Sequence, residues 1–429
     1  MTSIVSPSLS STVIDKKTKI ESTEFTVDFV LEHVRNVSGN VKLIPENLYG
    51  ISVVDITGGS AFFAKVLKVS FDWNDSLIEP KSVVLKIPIG MPNDLFGPKG
   101  FPEFMEVLVP NIAITASDTI LEESSVKSAD KDQNYLETAH TREVQFYACF
   151  ANHDNDLHLP TFYYGYEYSR NHQNGVLVME DLSRAGSTLN ILPGLNNAQI
   201  ENLIDELARL AAFSWKDRSW VSPMLTDPDR EEFIDMMREM SLELKKSDER
   251  FDGLLDRLAP LYKMKYIDQC NYKEDKYGFP SALVHGDLWA PNIIWNVDEN
   301  RKVKNELNAI IDWQAVHAGN PLEDFGRLLS LNTTSKYRRE NHDRLLGFYL
   351  SKLREYCEGE CPINEQNIHF LYKMALPYVM MFLGFGAPMY CNMPSVVRHD
   401  DPEHKAADTA ELLDRVFCFF EEVAEAYDL

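Results

Sequence analysis

The sequence has 429 residues, is 44% hydrophobic, and sets 42 Lys and Arg against 66 Asp and Glu, for a formal charge of −24. That content can fill a sizeable core divided between two lobes, and the acidity argues against nucleic acid or an anionic membrane as the main partner, because phosphate-backbone binding rests on clustered Lys and Arg. Six dispersed cysteines make neither a disulfide framework nor a paired metal-ligand spacing, and no signal-peptide pattern opens the chain, so a cytoplasmic setting is expected.

Residues 1–22 are Ser/Thr-rich and read as a flexible tail, ahead of a first lobe expected over 23–182. Phe25, Val27, Phe29, Val30, His33 and Val34 recur at helical spacing, which predicts an amphipathic helix. Residues 50–70 hold two β-rich runs joined at Thr57-Gly58-Gly59-Ser60; the small residues Gly58, Gly59 and Ser60 would let backbone N–H groups approach a phosphate. The next strand, Lys81 to Pro88, carries Lys86 as a lone cation in an apolar run. A long insertion fills 91–138, rich in Pro and then in Ser, Asp and Lys. The helix predicted from His140 to Phe150 has Val144, Phe146, Tyr147 and Phe150 on its apolar face, with Glu143 at the border and Glu137 as a rival acid upstream. Two strands follow, around Thr161–Tyr166 and Gly175–Leu182.

Beyond Pro193-Gly194 the pattern turns helical. Asn197 reads as the N-cap of a helix whose stripe is Ile200, Leu203, Ile204, Leu207, Leu210 and Ala211. Further helices are expected near 229–245, 250–266, 339–357, 364–385 and 407–427. The stretch Met374 to Val397 has no charged residue, but Pro377, Gly384, Gly386, Pro388 and Pro394 argue against an unbroken membrane span. Its Tyr378, Met380, Met381, Phe382, Phe385, Met389 and Tyr390 are core or the wall of an acceptor pocket.

The chemistry concentrates between Ala282 and Gln314. Ile293-Ile294-Trp295 and Leu307 to Ile311 flank a polar turn and predict a β-hairpin. A hairpin brings its outer ends together, so Asn292 should lie near Asp312, with Asp287 on the adjoining loop. One carboxylate to accept a hydroxyl proton, plus an amide and a carboxylate offering hard oxygens, suits Mg²⁺-assisted phosphoryl transfer: Asp287 as base, Asn292 and Asp312 as metal ligands. His285 reads as a brace for the loop. Asp324-Phe325-Gly326 spells the metal motif of protein kinases, yet no strand feeds it and a helix follows, so Asp324 reads as an N-cap or first-turn acid. No G-x-x-x-x-G-K-[ST] occurs and no G-x-G-x-x-G follows a strand, which removes P-loop and Rossmann readings.

The run His285-Gly286-Asp287-Leu288-Trp289-Ala290-Pro291-Asn292, joined to the hairpin and Asp312-Trp313, resembles the catalytic loop of the choline kinase and aminoglycoside phosphotransferase superfamily. It is most similar to the choline-kinase-like branch that includes ecdysteroid kinase-like proteins and many uncharacterised nematode members. The resemblance implies an α+β, two-lobed protein-kinase-like fold over roughly residues 40 to 429, with a small β-rich N-lobe and a large helical C-lobe from 183. It implies that Lys86 steadies ATP phosphates with Glu143 as its partner, that Gly58, Gly59 and Ser60 touch phosphate, that the backbone at Glu180 and Leu182 receives adenine, and that Asp324 supports the catalytic loop. The function implied is transfer of the ATP γ-phosphoryl group to a hydroxyl of a small organic molecule. The alternative is a catalytically silent nucleotide-binding sensor or scaffold. A protein acceptor is disfavoured, because no long activation segment fits between Asp312 and Asp324 and no Ala-Pro-Glu closes one. The acceptor stays open: a quaternary ammonium would need an aromatic cage or acids, a steroid a broad apolar cleft.

Overall fold

Runs rich in Val, Ile and Phe give the first part of the chain its sheet. In the computed structural model, which describes residues 14–20, 23–57, 64–89, 137–151, 156–168, 175–221, 231–274 and 276–429, β1 (Leu48–Asp55), β2 (Ala64–Trp73), β3 (Ser82–Pro88), β4 (Phe162–Tyr166) and β5 (Val176–Glu180) form one antiparallel sheet in the order β1-β2-β3-β5-β4. Gly58, Gly59, Ser60 and nearly all of the 91–138 insertion lie outside the described residues.

The central strand β3 is paired on both edges, which encloses most of its side chains. Lys86 lies opposite Val66 on one side and Leu177 on the other and is only 8% exposed. The predicted amphipathic helix is Val27–Ser38, capped by the Thr26 hydroxyl, which accepts from Phe29 N at 3.1 Å, and closed by Gly39 in the left-handed region. Its Val30, Leu31 and Val34 share one core with Leu67, Val69, Val83, Leu85 and Val178 of the sheet. The expected tail reaches too far. Val27 N donates to Thr18 O and Ile20 N to Phe25 O, each at 2.8 Å, and Ile20 is fully buried in that core. A single apolar residue with two backbone bonds fixes the segment.

Contacts divide the chain into two units, Met1–Pro88 with Thr161–Asp181, and Ile89–Pro160 with Leu182–Leu429. Helix 137–150, read from the sequence as part of the first lobe, belongs to the second unit, where Phe146 stacks on Trp313 at 3.9 Å between ring centroids. The same unit holds two small sheets. In one, β6 (Gly186–Ser187) flanks the hairpin of β8 (Ile293–Val297) and β9 (Val303–Ile310); in the other, β7 (Ala282–Val284) pairs with β10 (His317–Gly319). The β8–β9 hairpin is the expected one, with Ile293 opposite Ile310.

Helices make up the rest. Helix Asn197–Lys216 buries its predicted stripe, but Asn196 rather than Asn197 is the cap: its side chain accepts from Gln199 N at 3.1 Å, and the Gln199 side chain accepts from Asn196 N at 3.0 Å. Gln199, three residues on, completes a capping box only with Asn196. Helix Ile368–Tyr390 runs unbroken for 23 residues through Pro377 and Pro388, against the expectation that these residues interrupt it. The carbonyl that Pro377 cannot satisfy, Lys373 O, is taken by the Tyr427 hydroxyl at 2.8 Å, so the helix keeps its hydrogen bond from outside. Gly386 is a space requirement, since a Cβ there would meet the Tyr390 ring at 2.7 Å. Among the described residues this helix alone is long and apolar enough to cross a membrane, and 78% of its most apolar window is buried inside the protein. That is the pattern of a core helix.

Candidate active site

The loop after β7 is built by buried side chains that reach its backbone. His285 N donates to Asp324 Oδ2 at 2.6 Å and Gly286 N to Asp324 Oδ1 at 3.0 Å, so both carboxylate oxygens grip consecutive amides. Asp324 lies in the first turn of helix Leu322–Asn332, whose N-cap is Pro321. Gly286 adopts a φ of +79°, and a Cβ on it would sit 2.6 Å from Ala315 O, so only glycine fits. Asp287 N donates to His285 Nδ1 at 3.1 Å, which leaves His285 Nε2 as the protonated nitrogen facing Ile311 O at 3.0 Å. The fully buried His285 therefore braces the loop against the strand after it.

The loop ends on Asn292, whose Nδ2 donates to Asp287 O at 3.0 Å and Asp287 Oδ2 at 3.2 Å. Asn292 O accepts from Ile311 N at 2.9 Å, which draws the end of β9 and Asp312 to the same place. Asp312 takes a left-handed φ of 66°, turning the chain sharply after the strand. The structure thus puts Asp287 and Asn292 in contact, with Asp312 close enough for its charge to act on Asp287. The Asp287 carboxyl is pushed up to about 7, first by enclosure in protein and then by Asp312; Arg327 and the Asn292 hydrogen bond pull the other way.

Of the other expected site residues, Lys86 and Glu180 lie in the first unit and Glu143 and Leu182 in the second. Glu143 is buried on helix 137–150, and its charge, after burial itself, helps raise the Tyr147 hydroxyl. The Glu180 carboxylate accepts from Thr161 N at 3.0 Å and from the Thr161 hydroxyl at 2.7 Å. Leu182 opens a short helical turn and its carbonyl accepts from Ala185 N at 3.1 Å.

Several residues the sequence reading passed over belong to the site. Asn332 Oδ1 accepts from Ala290 N at 2.8 Å and holds the far half of the loop. Phe382 and Tyr390, which the sequence reading did offer for an acceptor pocket, line one that opens beside Asp287, together with Arg327, Leu383 and Trp289, which it passed over. Tyr378, Met380 and Met381, also offered as wall residues, are buried core. The Arg327 guanidinium is tied through Nε and Nη2 to Glu323 Oε1 at 3.0 and 2.8 Å, and Glu323 Oε2 lies 3.2 Å from His317 Nε2. Burial alone would raise the Glu323 carboxyl, but His317 and Arg327 outweigh it and hold it down at about 2. The i,i+4 spacing of Glu323 and Arg327 was the available signal; nothing local marked Asn332.

A β-rich unit with a helix packed on its sheet and a helical unit that carries a braced acidic loop make the α+β architecture in two parts expected from the sequence. Within that class the chain belongs to the DUF1679 family, described as "Uncharacterized oxidoreductase dhs-27", whose profile matches residues 51–429. An uncharacterized kinase-like protein of Caenorhabditis elegans is 26% identical over 297 residues, 66% of this chain and 76% of that protein. The uncharacterized oxidoreductase dhs-27 of the same organism is 28% identical over 227 residues, 50% of this chain and 26% of that one, so the match spans about a quarter of that relative's length. Among solved structures, choline kinase from Cryptosporidium parvum is similar with a TM-score of 0.46 at 13% identity, over 88% of this chain and 92% of that one. An aminoglycoside phosphotransferase in complex with gentamicin reaches 0.40 at 14% identity, over 90% and 97%. Both structural likenesses are loose.

Proposed function

We propose that the protein is a small-molecule kinase that moves the ATP γ-phosphoryl group to a hydroxyl of an organic acceptor. The observation that carries this reading is the hold on Asp287: Asn292 Nδ2 bonds both its carbonyl and its carboxylate, while Asp324 and His285 fix the loop from behind. A carboxylate so fixed at the mouth of a pocket can orient a bound hydroxyl, and a carboxyl raised toward neutrality accepts its proton more readily than an ordinary aspartate. Positioning would supply most of the rate.

The donor set suits Mg²⁺. Asn292 gives its Nδ2 to Asp287, so its Oδ1, together with the Asp312 carboxylate, would supply the hard oxygens. Among the described residues no three His, Cys, Asp or Glu side chains gather as a metal cage, and Mg²⁺ commonly takes one or two carboxylates and fills its sphere with phosphate and water. The ion would neutralise charge on the phosphates. Lys86 is the candidate cation for the nucleotide phosphates, with Glu143 as its supporting acid and the Glu180–Leu182 backbone as the adenine contact. The word oxidoreductase comes with the family's description and with a relative of which this chain spans about a quarter, and the sequence has no G-x-G-x-x-G after a strand. Six free thiols suit a reducing compartment such as the cytoplasm.

The test is the purified chain with Mg-ATP and a panel of alcohols, read by ADP release and by the mass of the product. Asp287→Asn should lower turnover by about a thousandfold while Mg-ATP binding and melting temperature hold. ATP binding with no product from any alcohol would favour a silent nucleotide-binding scaffold, and no ATP binding would sink both.

A further inference from the structure

The pocket beside Asp287 contains a cation that the phosphotransfer step does not use. Arg327 is 9% exposed and projects from helix Leu322–Asn332 into the pocket wall. Its Nε and Nη2 are committed to Glu323, and Glu323 is in turn committed to His317. No hydrogen bond among the described residues occupies its Nη1 edge. The guanidinium is planar and its donors lie at fixed angles. Anchoring one edge therefore fixes the direction of the other.

The aromatic residues nearby are arranged against a cationic guest. A quaternary ammonium binds on open ring faces, but the Arg327 guanidinium carbon already lies 4.0 Å from the Phe382 ring centre, and Trp289 and Tyr390 stack on each other at 5.3 Å and 22°. A cation entering here would meet a guanidinium in place of an aromatic cage. Val379, Leu383 and Leu331 complete an apolar lining that suits a carbon skeleton.

We infer that Arg327 selects the acceptor: the pocket takes an alcohol with an apolar body and a carbonyl or carboxylate oxygen that meets the Nη1 edge, and it turns away ammonium compounds. The inference rests on the phosphotransfer reading for the word acceptor, and on Arg327 alone for the chemistry of the guest. A charge-assisted hydrogen bond from a buried guanidinium is among the stronger polar contacts a site can offer, and an acceptor lacking that oxygen leaves the donor unmet.

Three probes on one frame separate the possibilities: 4-(hydroxymethyl)benzoate, its methyl ester, and the corresponding benzyltrimethylammonium alcohol. Titration calorimetry with the full chain and no nucleotide should rank the carboxylate first, the ester second and the ammonium last, with roughly ten- to hundredfold between the extremes. With Mg-ATP present, kcat/KM should follow the same order. Arg327→Met should remove the preference by raising KM for the carboxylate while KM for ATP stays put. Because that change strands Glu323, Arg327→Lys is the companion variant: it keeps the ion pair, loses the second edge, and should weaken the carboxylate and ester with little change in melting temperature. Equal or tighter binding of the ammonium probe to the unmodified protein overturns the inference, as does an Arg327→Lys protein with the original ranking undiminished. Absence of product from all three probes with the binding order intact would count against phosphotransfer and leave Arg327 as the residue that selects the guest.

Discussion

Two neighbouring acids on one helix serve two regions of the second unit in opposite ways. Asp324 faces the catalytic loop, and its hydrogen bonds go to dipoles, the N–H groups of His285 and Gly286. Glu323 lies behind the pocket wall and pairs with Arg327 and His317. Both side chains are almost wholly buried. Yet burial, reinforced by the charge of Glu323, carries the Asp324 carboxyl up to about 6 against the pull of the two amides and Arg327, while Glu323 is brought down to about 2 because its cations outweigh burial. Enclosure alone does not set the state of a buried acid; the formal charges beside it do. The loop is shaped by an acid that is costly to ionise, the pocket by one that is ionised and compensated.

Breaking the compensated side should cost more. Glu323→Gln leaves the Arg327 guanidinium buried without its counter-charge, and chemical denaturation should show a loss of about 3–5 kcal/mol. A loss under about 1 kcal/mol would mean that water already screens the pair. On the loop side, Asp324→Ala strands two amides at about 1–3 kcal/mol, partly offset because a carboxylate that is unfavourable to bury goes with it. Its stability loss should be the smaller of the two. Its turnover loss should be the larger, since the loop and not the pocket wall carries Asp287; ATP binding measured alongside separates loosening of the loop from global damage.

A third buried acid, paired with a more exposed partner, gives the smallest effect. Glu206, 4% exposed, accepts from His158 N and pairs with His158 Nδ1, both at 2.8 Å, but the imidazole is substantially exposed. The Glu206 hydrogen bond raises the His158 pKa above 6.5 against the effect of burial. Since the folded value exceeds the unfolded one, this pair stabilises fully below about pH 6.5 and the contribution fades as pH rises through the folded value. Melting temperatures measured between about pH 5.5 and 8.5 should fall slightly more in the unmodified protein than in His158→Gln. Parallel curves would show that His158 does not titrate with folding.

Much of the site was legible because it is local. Asp287 and Asn292 are five residues apart on one loop, and the hairpin that returns Asp312 to them was marked by apolar runs about a polar turn. Asp324 was read as an N-cap or first-turn acid because no strand was expected ahead of it; the short strand β10 does end at Gly319, but the acid stands in the first turn of the helix that follows. The errors were also local in kind. Asn196 and Asn197 can each cap a helix, and Gln199 was the deciding neighbour. Pro377 does remove a hydrogen bond, but the group that replaces it comes from residue 427. Ile20 looked like part of a tail until the core that encloses it was assembled.

The sequence by itself determined the order of elements, the loop from His285 to Asn292, and the glycine that its tight turn requires, because caps, turns and apolar periods act over a few residues. Only the tertiary structure decided which groups meet across long stretches of chain. Asn332 reaches Ala290 across 42 residues and Asp324 reaches His285 across 39, and Arg327 comes to face Phe382 only when two distant helices pack. The shape of the catalytic loop and the surroundings of the arginine's free edge depend on those long-range neighbours, whose identities no short stretch of sequence contains.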